Sequence, residues 1–370
     1  MMTRLIAVLF LAMTILPFAA EAETAAMPAQ IENDFTVLKI QLGRQQIGQL
    51  YKEGKYDEAA DVAEEIMKMT EGLSDHQLLA DTFEDIAKIF QVKGEYARAA
   101  KLYERALEIR NESAGKNNPA AARTLSSLAL LYQQQGDYGK ALRYSRKAWD
   151  IRKKTLGKRH PETAISLNNM AGLYRIRGDY KDAEKLYLEA LSIWTENYGP
   201  KHLLRAKALN NLAILYQEQN HYEKALNLFD QALAIRKEAY GKEHPAVATL
   251  LNNMGSLYKS QGHLEKAQKF YEEAERIWVK TLGDGHPNVA KVRNNLALLY
   301  QDLGRLKEAE EMFHNAISSA EKSLGPAHPF VLQMQMNLIS LYYAAGQVQE
   351  AHDLEHKMKL PSGPAAPVLA

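Results

Sequence analysis

Few residues in this 370-residue chain are of types that could carry chemistry, and their spacing decides what they can do. His352, Glu355 and His356 spell H-x-x-E-H, a string that on a helix can present two imidazoles and a carboxylate to a zinc ion. Only 14 residues follow His356, too few to bring a further ligand, and the string falls in register with a repeat that runs through the whole chain, so it is read as accidental. His160, His202, His244, His286 and His328 recur every 42 residues. Metal ligands must converge on one point, whereas residues at a fixed interval are spread along an array. Four of the five precede a proline, the fifth precedes Leu203, and the series is read as loop residues at helix starts. The looser start is expected at Leu203. The chain has no cysteine, which excludes disulfides, thiolate metal sites and Cys nucleophiles. It also lacks a nucleophile elbow, a P-loop and a dinucleotide loop. No catalytic residue, no metal and no cofactor are expected.

Asparagine is the residue type whose placement asks for a reason. Asn169, Asn211, Asn253, Asn295 and Asn337 form one ladder at the same interval, with Ser127 and Asp85 at the two preceding rungs. Asn168, Asn210, Asn252 and Asn294 form a second ladder beside it. Asn is a mediocre helix former, and these lie mid-helix. A carboxamide offers donors and an acceptor, so it can pair with the backbone of an extended peptide whatever that peptide's side chains are. It can equally tie one repeat to the next, or persist through duplication.

The elements that hold these residues come from a 42-residue period. Gly115, Gly157, Gly199, Gly241, Gly283 and Gly325 keep it without a slip, as do Ala99, Ala141, Ala183, Ala225, Ala267, Ala309 and Ala351. A second glycine series, Gly94 to Gly346, is interrupted once by Asn220, the next-best residue for a left-handed helix end. In one unit, Pro161 starts a helix whose Leu167, Met170, Ala171 and Tyr174 share a face. Arg177-Gly178-Asp179 turns the chain. A second helix carries Ala183, Leu186, Tyr187, Ala190 and Ile193 on one face, and Gly199 closes it. One helical hairpin cannot bury two apolar faces, so the units must stack. Seven units follow this template over 77–358. A degenerate eighth at 35–76, with Gly54 and Ala59, is expected to cap the N-terminal end. Glu355 and Met358 replace the usual aromatic and alanine at the other end, as a capping repeat would. Residues 23–34 read as a flexible leader and 359–370 as a disordered Pro-rich tail.

Balanced charge, 46 Lys+Arg against 45 Asp+Glu, excludes the basic footprint of a nucleic-acid binder. Leu5 to Phe18 is a 14-residue apolar run after Arg4, followed by the small-x-small site Ala20-Glu21-Ala22. That is the layout of a signal peptide, with cleavage expected after Ala22 and an uncleaved anchor as the alternative. No later stretch is apolar enough to span a bilayer. Export and the absence of cysteine point to a periplasmic location. Nothing in the sequence sets an oligomeric state.

The unit LNNMAGLYRIRGDYKDAEKLYLEAL (167–191) resembles the tetratricopeptide repeat, and Leu156-Gly157-Lys158-Arg159-His160-Pro161 with the 42-residue period resembles the repeats of kinesin light chains. The resemblance covers about 77–358. It implies an all-α fold, a right-handed superhelix of about seven to eight hairpins whose first helices line a concave, peptide-binding surface. It also implies that the Asn at the place of Asn211 contacts a peptide backbone. The chain has no heptad coiled coil and carries an export signal, so a motor-cargo role is not implied.

Helical geometry selects the same face independently. With Leu209, Leu212, Ala213 and Tyr216 toward the core, Lys207, Asn211, Ile214 and Glu218 fall opposite. The expected groove therefore comprises the Asn169-to-Asn337 ladder with Lys207, Ile214, Glu218, Lys259 and Lys291. Its charge is mixed, since Glu84, Asp85 and Asp302 join Glu218, so neither a strongly acidic nor a strongly basic ligand is indicated. The expected partner is a protein or peptide. The alternative is a structural solenoid that self-associates or scaffolds an envelope complex through its ends or convex face.

Overall fold

The computed structural model describes residues 29–115 and 117–358. The segments read as a signal peptide and a Pro-rich tail lie outside the described residues. Among the described residues sixteen helices pair into eight hairpins. Unit 1 is α1 (Ala29–Glu53) and α2 (Tyr56–Lys68), and unit 2 is α3 (His76–Val92) and α4 (Tyr96–Ala114). Units 3 and 4 are α5 (Pro119–Gln134), α6 (Tyr138–Thr155), α7 (Pro161–Ile176) and α8 (Tyr180–Tyr198). Units 5 and 6 are α9 (Leu203–Glu218), α10 (Tyr222–Tyr240), α11 (Pro245–Ser260) and α12 (Leu264–Leu282). Units 7 and 8 are α13 (Pro287–Asp302), α14 (Leu306–Leu324), α15 (Pro329–Ala344) and α16 (Val348–Lys357). The helix α1 starts at Ala29 and so includes residues 29–34, which the sequence reading left to the leader. No Gly or Pro interrupts residues 29–42, and nothing there breaks the helix.

The turn chemistry explains the regularity. Each hairpin turn ends its first helix with a left-handed residue. Where glycine is missing, Asn220 adopts φ 60°, the positive-φ non-glycine among the described residues. His160, His202, His244, His286 and His328 each cap the following helix, with ring Nδ1 accepting the backbone N–H two residues on at 3.0–3.2 Å. The unit that begins at Leu203 has the same cap and the same start as the others, so losing the proline does not loosen it.

The recurrent alanines from Ala99 to Ala351 are fully buried. Being small, they let two helices approach closely, while aromatic rings four residues on in units 2 and 4 to 7 fill the gaps. Trp194 and Trp278 are buried in equivalent places, each donating its indole N–H to a helix-starting carbonyl, Pro161 O at 3.0 Å and Pro245 O at 3.2 Å.

The array curves until it meets itself. Tyr56 is buried in the same apolar cluster as residues of units 6 to 8, and α2 touches α14. His328 Nε2 lies 2.8 Å from Val92 O. A Cβ on Gly94 would stand 3.0 Å from Pro329 Cδ, and one on Gly54 3.2 Å from His286 Cδ2. Unit 1 thus stacks on unit 7 and unit 2 on unit 8. The hairpin turns of the first two units pack against the loops that open the last two.

Candidate binding groove

First helices of successive units come closer to one another than second helices do, so the first helices line the inner, concave side. The asparagine ladders stand there and are bonded to each other. Asn211 donates to Asn168 at 3.0 Å, Asn253 to Asn210 at 2.8 Å, Asn295 to Asn252 at 2.9 Å and Asn337 to Asn294 at 3.0 Å. Within units, Asn210 donates to Asn211 at 3.2 Å and Asn252 to Asn253 at 3.4 Å. Six carboxamides therefore form one unbroken chain from Asn295 to Asn168. Asn169 makes no such bond. The second-ladder residues Asn168, Asn210 and Asn252 are buried, and the outer ladder is half-buried. An amide has two N–H donors and two lone pairs. Asn211 and Asn253 each use one of either kind within the chain and keep one of either kind for the groove.

The other expected residues divide. Lys207 and Lys291 reach solvent but are ringed by the concave wall. Desolvation lowers both ammonium pKa values, with Arg236 adding repulsion at Lys207. Lys259 is paired with Asp302 at 3.0 Å. Glu218 is bonded to Arg175, yet burial raises its carboxyl pKa against that attraction. Ile214 is half-buried against the core of unit 5. At the N-terminal end, Asp85 is held by Arg44 at 2.8 Å and Lys88 at 3.0 Å, while Glu84 is buried against Arg110 at 2.6 Å. The acids read as facing a ligand there are neutralised within the protein.

Asn168, Asn169, Lys207, Asn211 and Ile214 come together on one cavity of about 810 Å³ that opens on the concave face of units 3 to 5. Asn253, Asn295, Asn337, Lys259 and Lys291 belong to units 6 to 8, farther along the same face. The cavity is also lined by two residues that carry no signal in the sequence, Ser145 and Arg152. Arg152 recurs in register as Arg110 and Arg236, whereas Ser145 is an exception to the pattern. Ser145 stands where other units have Tyr103, Tyr187, Phe229, Tyr271 and Phe313. Four cationic side chains line the cavity, Arg123, Arg152, Arg175 and Lys207, against one carboxylate, Glu162. This stretch of the groove is basic although the groove as a whole is mixed. Among the described residues no cluster of His, Asp and Glu is arranged to hold a metal ion. Glu355 of the H-x-x-E-H string is buried and accepts from Tyr343 Oη at 2.8 Å.

Stacked helical hairpins with a concave inner wall define an α-solenoid. A model of the tetratricopeptide repeat matches the chain in seven overlapping windows, 44–112, 78–154, 120–187, 162–238, 222–280, 246–314 and 288–355. The chain belongs to the tetratricopeptide-repeat family. No curated protein matches it significantly. Among solved structures it is similar to RapI in its apo form, with 18% identity over 76% of this chain and 98% of that one, TM-score 0.56. It is similar to a Rap protein complexed with Competence and Sporulation Factor, with 18% identity over 86% and 90% of the two chains, TM-score 0.54. These two share the fold. It is also similar to a kinesin-light-chain-type protein of Podosopora anserina with nearly identical TPR-like repeats, at 27% identity over 56% of this chain and 98% of that one, TM-score 0.44. Among the described residues no helix is long and apolar enough to cross a membrane.

Proposed function

We propose that this protein is an exported, non-enzymatic adaptor that holds an extended segment of a partner protein in its concave groove. The observation that carries this reading is the carboxamide chain along the inner wall. Amides locked to one another are already oriented, and each inner rung keeps a free N–H and a free lone pair. An extended peptide backbone presents the complementary pair at regular intervals. Orientation before binding lowers the entropy lost on association. Export is proposed from the apolar run Leu5 to Phe18 and the Ala20-Glu21-Ala22 site, with the periplasm as destination.

The test is selection of phage-displayed random nonapeptides on the full chain, in parallel with Asn211→Ala/Asn253→Ala/Asn295→Ala, both checked for helicity by circular dichroism. Peptides enriched by the parent and lost by the folded variant support the reading. Peptides held equally by both place the binding elsewhere and sink it. Mass spectrometry of the periplasmic fraction tests export: the expected species begins at Glu23, and recovery only from the cytosol overturns it.

A further inference from the structure

Units 2 and 3 carry the same arginine in the same slot with different surroundings. Arg110 and Arg152 lie 42 residues apart, and each side chain is only 5% exposed. The Arg110 guanidinium meets Asp81, Glu84 at 2.6 Å and the Thr124 hydroxyl. One unit on, the places of Asp81 and Glu84 are taken by Arg123 and Ser126. Arg152 accordingly donates from one nitrogen to two hydroxyls, Ser126 Oγ at 2.9 Å and Ser166 Oγ at 2.7 Å. Its Nε is buried and makes no hydrogen bond. The carboxylate within ion-pair range is Glu162, 3.7 Å away on a side chain that is 52% exposed. Desolvation depresses the guanidinium pKa, with Glu162 opposing and Arg123 reinforcing. Its one counter-ion, 3.7 Å from the same Nε, is half in solvent and beyond hydrogen-bond reach, so the buried charge is incompletely compensated, and the slot opens on the groove.

A second, independent observation concerns the same cavity. Ser145 lies two helical turns before Arg152 on α6, at the position of an aromatic ring in units 2 and 4 to 7. Each of those rings is at most 2% exposed. In unit 3 the volume of the ring is open, and Ser145 Oγ is buried without a hydrogen-bond partner. Two of the three such side-chain atoms among the described residues therefore face one cavity. Of its other cations, Arg123 is engaged by Asp81 and Glu84, and Arg175 by Glu218. Among the described residues Lys207 makes no ion pair and Arg152 has only the solvent-exposed Glu162 at 3.7 Å, so these two are left to attract an anion.

We propose that this cavity is a specificity pocket for an acidic side chain of the bound segment. The ligand carboxylate plays toward Arg152 the part that Glu84 plays toward Arg110, and its stem enters the space beside Ser145. The inference rests on the groove reading and adds the chemistry that the groove selects.

Two variants of the full chain test it. Arg152→Met removes the cation while keeping the bulk. Ser145→Phe restores the ring, and Phe is the choice because Leu130 lines the same cavity in register with Ile214 and Leu298, which pack in the clusters of Phe229 and Phe313. Both are expected to fold, and Ser145→Phe to melt higher. Random nonapeptides selected on the parent are expected to carry Asp or Glu at one fixed position. The best of them, resynthesised, is expected to bind about 10- to 100-fold more weakly to either variant. Its Glu→Gln version should lose as much on the parent and nothing further on Arg152→Met. An amidated C-terminus should change little; if amidation and not Glu→Gln removes binding, the pocket reads a chain terminus and the side-chain proposal fails. Peptides without acidic enrichment, lost on the triple asparagine variant yet unmoved by Arg152→Met and Ser145→Phe, keep the groove reading and overturn the pocket. Failure to enrich any peptide overturns both.

Discussion

His328 Nε2 lies 2.8 Å from the carbonyl oxygen of Val92, a residue 236 positions earlier in the chain. The same ring caps α15 through Nδ1, which accepts from Phe330 N at 3.0 Å. One nitrogen must donate and the other accept, so the ring has to be neutral and in a single tautomer. Desolvation lowers its pKa, against the opposing effect of the Val92 hydrogen bond, and desolvation lowers that of His286 as well. With folded values below the unfolded one, acid binds the unfolded chain first. The stability these rings contribute is present above about pH 6.5 and is lost as pH falls through the folded values. Thermal melts should therefore shift downward between pH 7 and pH 5. His286→Asn/His328→Asn keeps a capping oxygen and should flatten that part of the profile; an unchanged slope would refute the assignment.

The Arg110 cluster should respond asymmetrically. Arg110→Met strands Glu84 and Asp81 without their buried counter-charge, at an expected cost of about 3–5 kcal/mol. Replacing Arg110 and Glu84 together by apolar residues should cost much less. Arg123→Ala removes a 59% exposed partner and should cost about 0–1 kcal/mol. Urea denaturation of the four proteins gives the comparison, and a cheap Arg110→Met contradicts it.

Rungs of the amide chain should differ in worth. Asn252 both accepts from Asn295 and donates to Asn253, so Asn252→Ala should destabilise by about 1–3 kcal/mol. Asn169 lies outside the chain, and Asn169→Ala should be close to neutral. Equal effects in equilibrium unfolding would mean that the amide bonds contribute nothing measurable.

Lys207 and Lys291 should stand out chemically. Depressed ammonium pKa values leave more free amine at a given pH. Brief acetylation near pH 8, read by mass spectrometry, should modify both faster than the paired Lys201 and Lys259. A bound peptide should protect Lys207 first, because it lines the cavity.

Much of the architecture was legible because it is written locally and repeated. Period, turns, histidine caps and the left-handed Asn220 each depend on a few neighbouring residues. The contact of Gly54 with His286 depends instead on small rotations accumulated over six units, and no residue announces it. Ser145 and Arg152 were visible but silent: Ser145 is a single departure from a recurring aromatic, and Arg152 recurs as Arg110 and Arg236 with nothing local to show that its counter-charge is weaker. The asparagines posed a different difficulty. Their spacing suited a ligand and a neighbouring repeat equally, and only the amide separations in the folded array reveal that they bond to each other.

The meeting of the first two units with the last two has a thermodynamic corollary. A linear array opens from its ends, because a terminal repeat has one neighbour and an interior repeat has two. Here unit 1 has unit 7 beside it and unit 2 has unit 8. The chain behaves less like an open row of dominoes than like one with its boundary joined, in which fraying at either terminus must first break a contact with the other. Amide exchange should accordingly be slowed in α2 and α14 together, and Gly54→Trp, by prising the turns apart, should release both ends at once.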